Sequence, residues 1–177
     1  MADEAVARAP VIETARLCLR AHGVDDFAAL AAMWAEPAVV RHITGRPSTA
    51  EESWARLLRY AGHWALLGFG YWAIEEKASG RFVGEAGLAD YKRAMETALK
   101  DAPEIGWALA PWAHGRGYGT EAVRAVVAWS DRHLPGKRTW CMVAPEHQAS
   151  IRLAQKCGYR EVERTTYKGG AAIILAR

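Results

Sequence analysis

Glu104-Ile105-Gly106-Trp107-Ala108-Leu109-Ala110-Pro111-Trp112-Ala113-His114-Gly115-Arg116-Gly117-Tyr118-Gly119-Thr120-Glu121-Ala122 reads as a strand, a glycine-rich loop and the start of a helix. Glutamate followed by alternating bulky and small residues suits a strand over Glu104–Leu109. Glycines at alternate positions 115, 117 and 119 let backbone N–H groups approach an anion with no Cβ in the way. The helix expected from Thr120 adds unpaired donors and a partial positive charge at its N-terminus. His114, Gly115, Arg116, Gly117, Tyr118, Gly119 and Thr120 therefore form a candidate anion cradle, with Arg116 adding a charge. Alone, the glycine pattern also describes a tight strand-to-helix turn. It is not a P-loop, because no Gly-Lys-Ser/Thr follows. Nor is it a dinucleotide fingerprint, since no acid lies about 20 residues on, where the chain reads Thr139-Trp140-Cys141-Met142-Val143.

Working outward, Leu17 and Leu19 alternate with polar residues in a strand over Ala15–Arg20. Phe27, Leu30, Ala31 and Trp34 have helical spacing after Asp25 as cap, and Pro37 is expected to end that helix. Ser48 and Glu51 have capping-box spacing before a helix that carries Trp54, Leu57, Leu58, Ala61 and Ala65. Phe69–Ile74 and Arg81–Leu88 form a hairpin about Ser79-Gly80, and residues 90–101 are polar and irregular. After the central loop come a helix to about His133, a strand Thr139–Val143, and a helix Glu146–Lys156 ended by Gly158. Strands Tyr159–Thr166 and Ala171–Leu175 close the chain around Gly169-Gly170. The order predicts a mixed α/β fold with a largely antiparallel sheet of about seven strands and flanking helices.

The length of 177 residues suits one domain, expected over residues 13–177 behind a loose tail of residues 1–12. With 51% hydrophobic and 24% charged residues the composition is globular. A net charge of +3, with basic residues scattered, argues against a nucleic-acid partner. Cys18, Cys141 and Cys157 form no C-x-x-C pair and read as reduced, packed thiols. Acid in Met1-Ala2-Asp3-Glu4 is unlike a signal peptide, and the uncharged stretch Tyr60–Ile74 is too short and polar to span a bilayer. A cytoplasmic protein, monomeric or homodimeric and with no membrane partner, is the expectation. His22, His42, His63 and His133 show no metal-ligand spacing, so no metal is expected.

The run Glu104-Ile105-Gly106-Trp107-x-Leu109 followed by Gly115-Arg116-Gly117-Tyr118-Gly119-Thr120-Glu121-Ala122 resembles the acetyl-CoA motif of the GCN5-related N-acetyltransferase (GNAT) superfamily, closest to its ribosomal-protein N-terminal (RimJ/RimL-like) branch. His114 stands where that family's motif begins with Gln or Arg. Downstream, His147-Gln148-Ala149-Ser150-Ile151-Arg152-Leu153-Ala154-Gln155-Lys156-Cys157-Gly158-Tyr159 is similar to the family's Asn-x-x-Ser-x-Arg-Leu-x-x-Lys-x-Gly-Phe helix, with His147 in place of the Asn. Met33-Trp34-Ala35-Glu36-Pro37, followed by Pro47–Ser53, resembles the branch's first helical region.

The resemblance implies a GNAT fold whose sheet splays between the fourth and fifth strands, and acetyl transfer from acetyl-CoA to an amine. It implies that Ala108, Leu109 and Ala110 contact the pantetheine arm, and that a backbone N–H there polarises the thioester carbonyl. The glycine loop and His147 complete the expected cofactor contacts. Glu104 becomes the candidate base, directly or through water, and a solvated strand-end carboxylate is the plain alternative. Glu85 and Asp90 rank behind it. For the departing sulfur, Ala154 replaces the tyrosine that many members use, so the candidate is Ser150 on the same helix face; a hydroxyl bonded to its own helix is the plain alternative. The acceptor stays open among protein N-termini, amino acids, polyamines and aminoglycosides. An acyl-CoA-binding module without catalysis is the competing function.

Overall fold

The computed structural model describes residues 8–177. The chain forms β1 (Ile12–Glu13), β2 (Leu17–Arg20), α1 (Phe27–Ala35), α2 (Pro37–Val40), α3 (Ala50–Leu67), β3 (Tyr71–Glu76), β4 (Phe82–Ala89), β5 (Glu104–Leu109), α4 (Tyr118–His133), β6 (Trp140–Val143), α5 (Gln148–Lys156), β7 (Arg160–Tyr167) and β8 (Gly170–Ala176). One eight-stranded sheet has the order β1-β2-β3-β4-β5-β6-β8-β7. Every neighbouring pair is antiparallel except β5 and β6, which run parallel.

Each face of the sheet has its own core. On one, Leu17, Trp72, Leu88 and Ile105 pack against Val123 and Val126 of α4 and Ala154 of α5. On the other, Leu30 and Trp34 of α1 and Leu57 and Tyr60 of α3 pack against Tyr71 and Ala108. β5 serves both cores because successive side chains point to opposite faces. Among the described residues no helix is long and apolar enough to cross a membrane.

Several boundaries differ from those read in the sequence. The sheet has an eighth strand, β1, drawn from the end of the expected tail. Ile12 pairs with Leu19, Ala9 is buried, and the Pro10 carbonyl accepts the Trp72 indole N–H at 2.8 Å. The packed part of the fold thus begins at residue 9, and the first seven residues of the expected tail lie outside the described residues. The capping box sits one residue later than expected. Thr49 Oγ1 accepts the Glu52 N–H at 3.1 Å and Glu52 Oε2 accepts the Thr49 N–H at 2.9 Å. The Ser48 N–H is instead bonded to the Trp34 carbonyl at 2.9 Å, which ties the start of α3 to α1. Pro37 begins α2, occupying a first-turn position where its missing N–H costs nothing. The Asp25 cap is not formed: Asp26 precedes α1 without a capping bond, and its carboxylate instead accepts the Gly23 N–H and pairs with Arg20. Trp34 is buried as its spacing indicates, whereas Trp54 is 38% exposed and meets only the edge of Phe27.

Trp64, Trp72 and Trp129 meet edge to face, with ring centroids 4.6, 5.3 and 5.2 Å apart, and join α3, β3 and α4. Trp72 is fully buried at their centre. Trp72→Ala is expected to cost about 3–5 kcal/mol by urea unfolding; a loss under about 1 kcal/mol would show that the triad is not the link between these elements.

Candidate active site

β5 and β6 pair at one register position, Glu104 with Trp140. Past it the strands part. Gly106 and Trp107 then face Met142, Val143 and Ala144 across a cleft of about 1130 Å³ that continues to Trp34, Arg56 and Glu85. The volume suits an extended chain and a second small molecule together.

The glycine loop lies at the C-terminal end of β5, and its glycines do different work. Gly115 and Gly117 have φ of +72° and +81°, which residues with a Cβ rarely adopt. Gly119 has an ordinary backbone; a Cβ there would sit 2.7 Å from Leu153 Cδ1, so it permits close packing of α4 on α5. Gly117 precedes α4 and caps it with no side chain. The N–H groups of Tyr118, Gly119 and Thr120 therefore remain free of intrahelical acceptors. The loop is braced from outside. Arg16 Nη1 donates to the Arg116 carbonyl at 2.9 Å and Arg16 pairs with Glu121 at 2.7 Å. His114 Nε2–H donates to the Leu109 carbonyl at 2.9 Å, which ties the loop to the end of β5. Tyr118 is buried with its hydroxyl donating to Glu76, so it offers the loop its N–H alone. Arg116 is exposed and only 3.5 Å from Glu76. Open donors, a left-handed turn and a nearby cation fit a phosphate group.

Across the cleft, α5 begins after His147. Ser150 Oγ accepts the Trp107 indole N–H at 3.3 Å and lies 3.3 Å from His147 Nε2. Its hydroxyl is thus engaged by side chains that line the cleft. Ala154 behind it is fully buried. His147 stacks on His42 with centroids 4.7 Å apart. Burial, His42 and His114 together hold its imidazole below the usual histidine pKa, hence neutral.

The carboxylates separate into two kinds. Glu104 is gripped on both oxygens by Arg93, Nε to Oε2 at 2.5 Å and Nη2 to Oε1 at 2.8 Å. Asp90 pairs with Lys92 at 2.7 Å. Glu85 is fully buried and, among the described residues, makes no ion pair. Its Oε1 accepts the Trp34 indole N–H at 3.2 Å and the Tyr60 hydroxyl. Its Oε2 has no partner among the described residues. Burial pushes its pKa up to about 7, against the pull of Tyr60, Arg56, Trp34 and Arg59. What decides between Glu85 and Glu104 is Arg93, and that residue lies in a segment whose sequence shows only polarity. Among the described residues no cluster of histidine, cysteine and acidic groups could hold a metal ion.

Residues 16–160 match the family model of the acetyltransferase (GNAT) domain, and the chain belongs to that family. Its fold is similar to that of a putative GNAT-family acetyltransferase from Bordetella pertussis, with 29% identity, TM-score 0.84, and coverage of 96% of this chain and 99% of that one. It is also similar to RimL, a ribosomal L7/L12 α-N-protein acetyltransferase in complex with coenzyme A, with 16% identity, TM-score 0.76, and coverage of 95% and 97%. A curated relative, the uncharacterized protein YkkB of Bacillus subtilis, is 31% identical over 91 residues, and the match spans 51% of each chain.

The left-handed turn at Gly117 sets where the loop's N–H groups point. Valine there is strained at φ +81° whatever space surrounds it. Gly117→Val should weaken acetyl-CoA binding more than tenfold, over about 1.4 kcal/mol, by calorimetry on the folded variant. Unchanged affinity would remove the loop from the site.

Proposed function

We propose that the chain is an N-acetyltransferase that moves the acetyl group of acetyl-CoA to a primary amine by direct attack in a ternary complex, working in the cytoplasm as a monomer or homodimer. The two sequence motifs are most similar to the ribosomal-protein N-terminal branch of the family, a likeness that leaves the acceptor open. The observation that carries the proposal is the parting of β5 and β6. Trp107 and Ser150 line the cleft that this parting opens, and the glycine loop follows the end of β5, which supports reading them as one binding path.

When bound, acetyl-CoA supplies an activated thioester: the amine forms the C–N bond as the C–S bond breaks, one proton leaves nitrogen and one reaches sulfur. In this reading the amides of residues 115–120 hold the pyrophosphate, with Arg116 beside them. Backbone groups of Ala108, Leu109 and Ala110 pair with the pantetheine arm, and an N–H on this edge polarises the carbonyl. Ser150 hydrogen-bonds the departing sulfur. Its hydroxyl is a weak acid, so it stabilises charge on sulfur without needing to give up its proton.

Glu104, the base expected from the sequence, has both oxygens committed to Arg93 and serves to set that guanidinium along the cleft. Glu85 lines the cleft, has an oxygen without a partner among the described residues and a pKa near working pH, which support it as the general base.

Glu85→Gln should lower kcat by about 10²–10⁴-fold. In the wild type kcat/KM should climb as pH rises through about 7, because the base works only when deprotonated. The variant should lose that rise and Glu104→Gln should keep it; the reverse pattern would return the role to Glu104. A raised carboxyl pKa also has a stability signature. Folding favours the protonated form, so stability is greatest below the unfolded-state value and falls as pH climbs to about 7. Denaturation across this range should show the decline in the wild type and a flatter curve in Glu85→Gln.

Ser150→Ala should cost about tenfold in kcat, the scale of one hydrogen bond, with little change in substrate affinity. Steady-state rates at saturating acetyl-CoA read this directly, and a silent variant would mean that solvent alone serves the sulfur.

A further inference from the structure

Two guanidiniums of α3 border the cleft without a carboxylate partner. Arg56 Cζ lies 3.6 Å over the Trp34 ring, and Arg59 Cζ lies 5.3 Å from the Tyr91 centroid and 5.9 Å from that of Tyr60. Their neighbours are committed: Arg46 pairs with Glu52 and Arg93 with Glu104. Among the described residues Arg56 and Arg59 make no ion pair. Being three residues apart on one helix, they are neighbours on its surface.

The rings beneath these cations are the same ones that hold Glu85. Trp34 and Tyr60 donate to Glu85 Oε1, while Oε2 is left without a donor. A buried carboxylate oxygen without a partner is costly unless something else satisfies it, and an ammonium group of a ligand would do so. The cleft thus offers an acceptor for an amine and, across the Trp34 indole, the Arg56 guanidinium, with Arg59 one turn along α3 over Tyr60 and Tyr91. Six lysine or arginine side chains line it against four glutamates, an excess of 6 − 4 = 2 positive charges. A polycation would meet that excess as repulsion, whereas an anion would be drawn in.

We propose that the acceptor is a small zwitterion of the amino-acid type, whose amine turns to Glu85 and whose carboxylate is held by Arg56 and Arg59. This rests on the acetyl-transfer reading and narrows it. Guanidinium suits the assignment because its planar fork matches a carboxylate, and stacking on an aromatic face orients it in advance. The one-ring separation favours a carboxylate close to the amine. A peptide N-terminus has an amide there and a polyamine a second cation. Anion binding would also neutralise the two charges that pull Glu85 down, making the base stronger when the acceptor is in place.

The test compares acceptors that differ only in the anion, namely glycine with glycinamide and serine with serinamide, together with spermidine. Thiol release from acetyl-CoA is followed with the full chain, and products are checked by mass spectrometry. The carboxamide amine is intrinsically easier to deprotonate, so reactivity alone favours it. The expected result is the opposite: kcat/KM at least about tenfold higher for an amino acid than for its carboxamide, with spermidine poorer still. In R56Q/R59Q that ratio should fall toward one. Equal or better turnover of the carboxamides or spermidine would overturn the proposal, as would a ratio unchanged in R56Q/R59Q. Thiol release from none of the amines would overturn the acetyl-transfer reading itself, and the proposal with it. The wild-type comparison stands even if the double variant does not fold.

Discussion

β5 and β6 hydrogen-bond opposite Glu104 and Trp140 and then separate. A parallel pair that stops after one position leaves the rest of that strand edge without a strand partner in the middle of a sheet, a place where groups are normally paired. The two cores make this tolerable. Ile105 is locked into the core under α4, and Ala108 into the core under α1 and α3. β4 pairs with β5 along its whole length, from Ala89 opposite Glu104 to Gly84 opposite Leu109. β5 is therefore rigid with one edge free. In the proposed reading an extended ligand pairs with that edge, and the helix after β5 presents its open first turn beyond it. Strand edge, loop and cleft follow from this one departure.

Burial and pairing then give chemically similar groups different tasks. Glu85 and Glu104 are both buried glutamates on adjacent strands. Arg93 fixes one as a charged, hydrogen-bonded partner. The other has only neutral donors in contact and a pKa near neutrality. His147 and Ser150 divide similarly. Burial and the neighbouring His42 and His114 hold the imidazole pKa down, and the serine hydroxyl lies between that imidazole and the Trp107 indole. The site assembles polarity from aromatic N–H and O–H groups, which bring apolar surface for packing and one directed donor each.

The sequence carries the local rules well and the distant partnerships poorly. Period-two and helical spacing, together with the glycine turns, place strands and helices to within a few residues from Leu17 to Ala176. The shifts that remain have tertiary causes. Ser48 has the right spacing to cap α3, but its N–H is bonded to Trp34 and Thr49 takes the role. Ile12 and Glu13 form a strand because the Trp72 indole reaches the Pro10 carbonyl beside them, a contact 62 residues apart in sequence. Gly117 and Gly119 look alike in a G-x-G-x-G pattern. Only the fold shows that Gly117 is required by its dihedral angle and Gly119 by Leu153. The glycine turn before α4 and the helix that carries Ser150 are legible because their signals are local. The free carboxylate oxygen of Glu85 was not, since it depends on which acid meets a cation from an irregular loop.

The central claim is that the free edge of β5 and the first turn of α4 receive one continuous ligand. An ¹⁵N NMR titration of the protein with coenzyme A tests this most directly, because it reports each backbone amide separately. The account predicts that amides of residues 115–120 and 106–110 shift together with one saturation curve, while those of β1 and β2 stay in place. Shifts at residues 115–120 with none along 106–110, or shifts concentrated elsewhere in the fold, would contradict it.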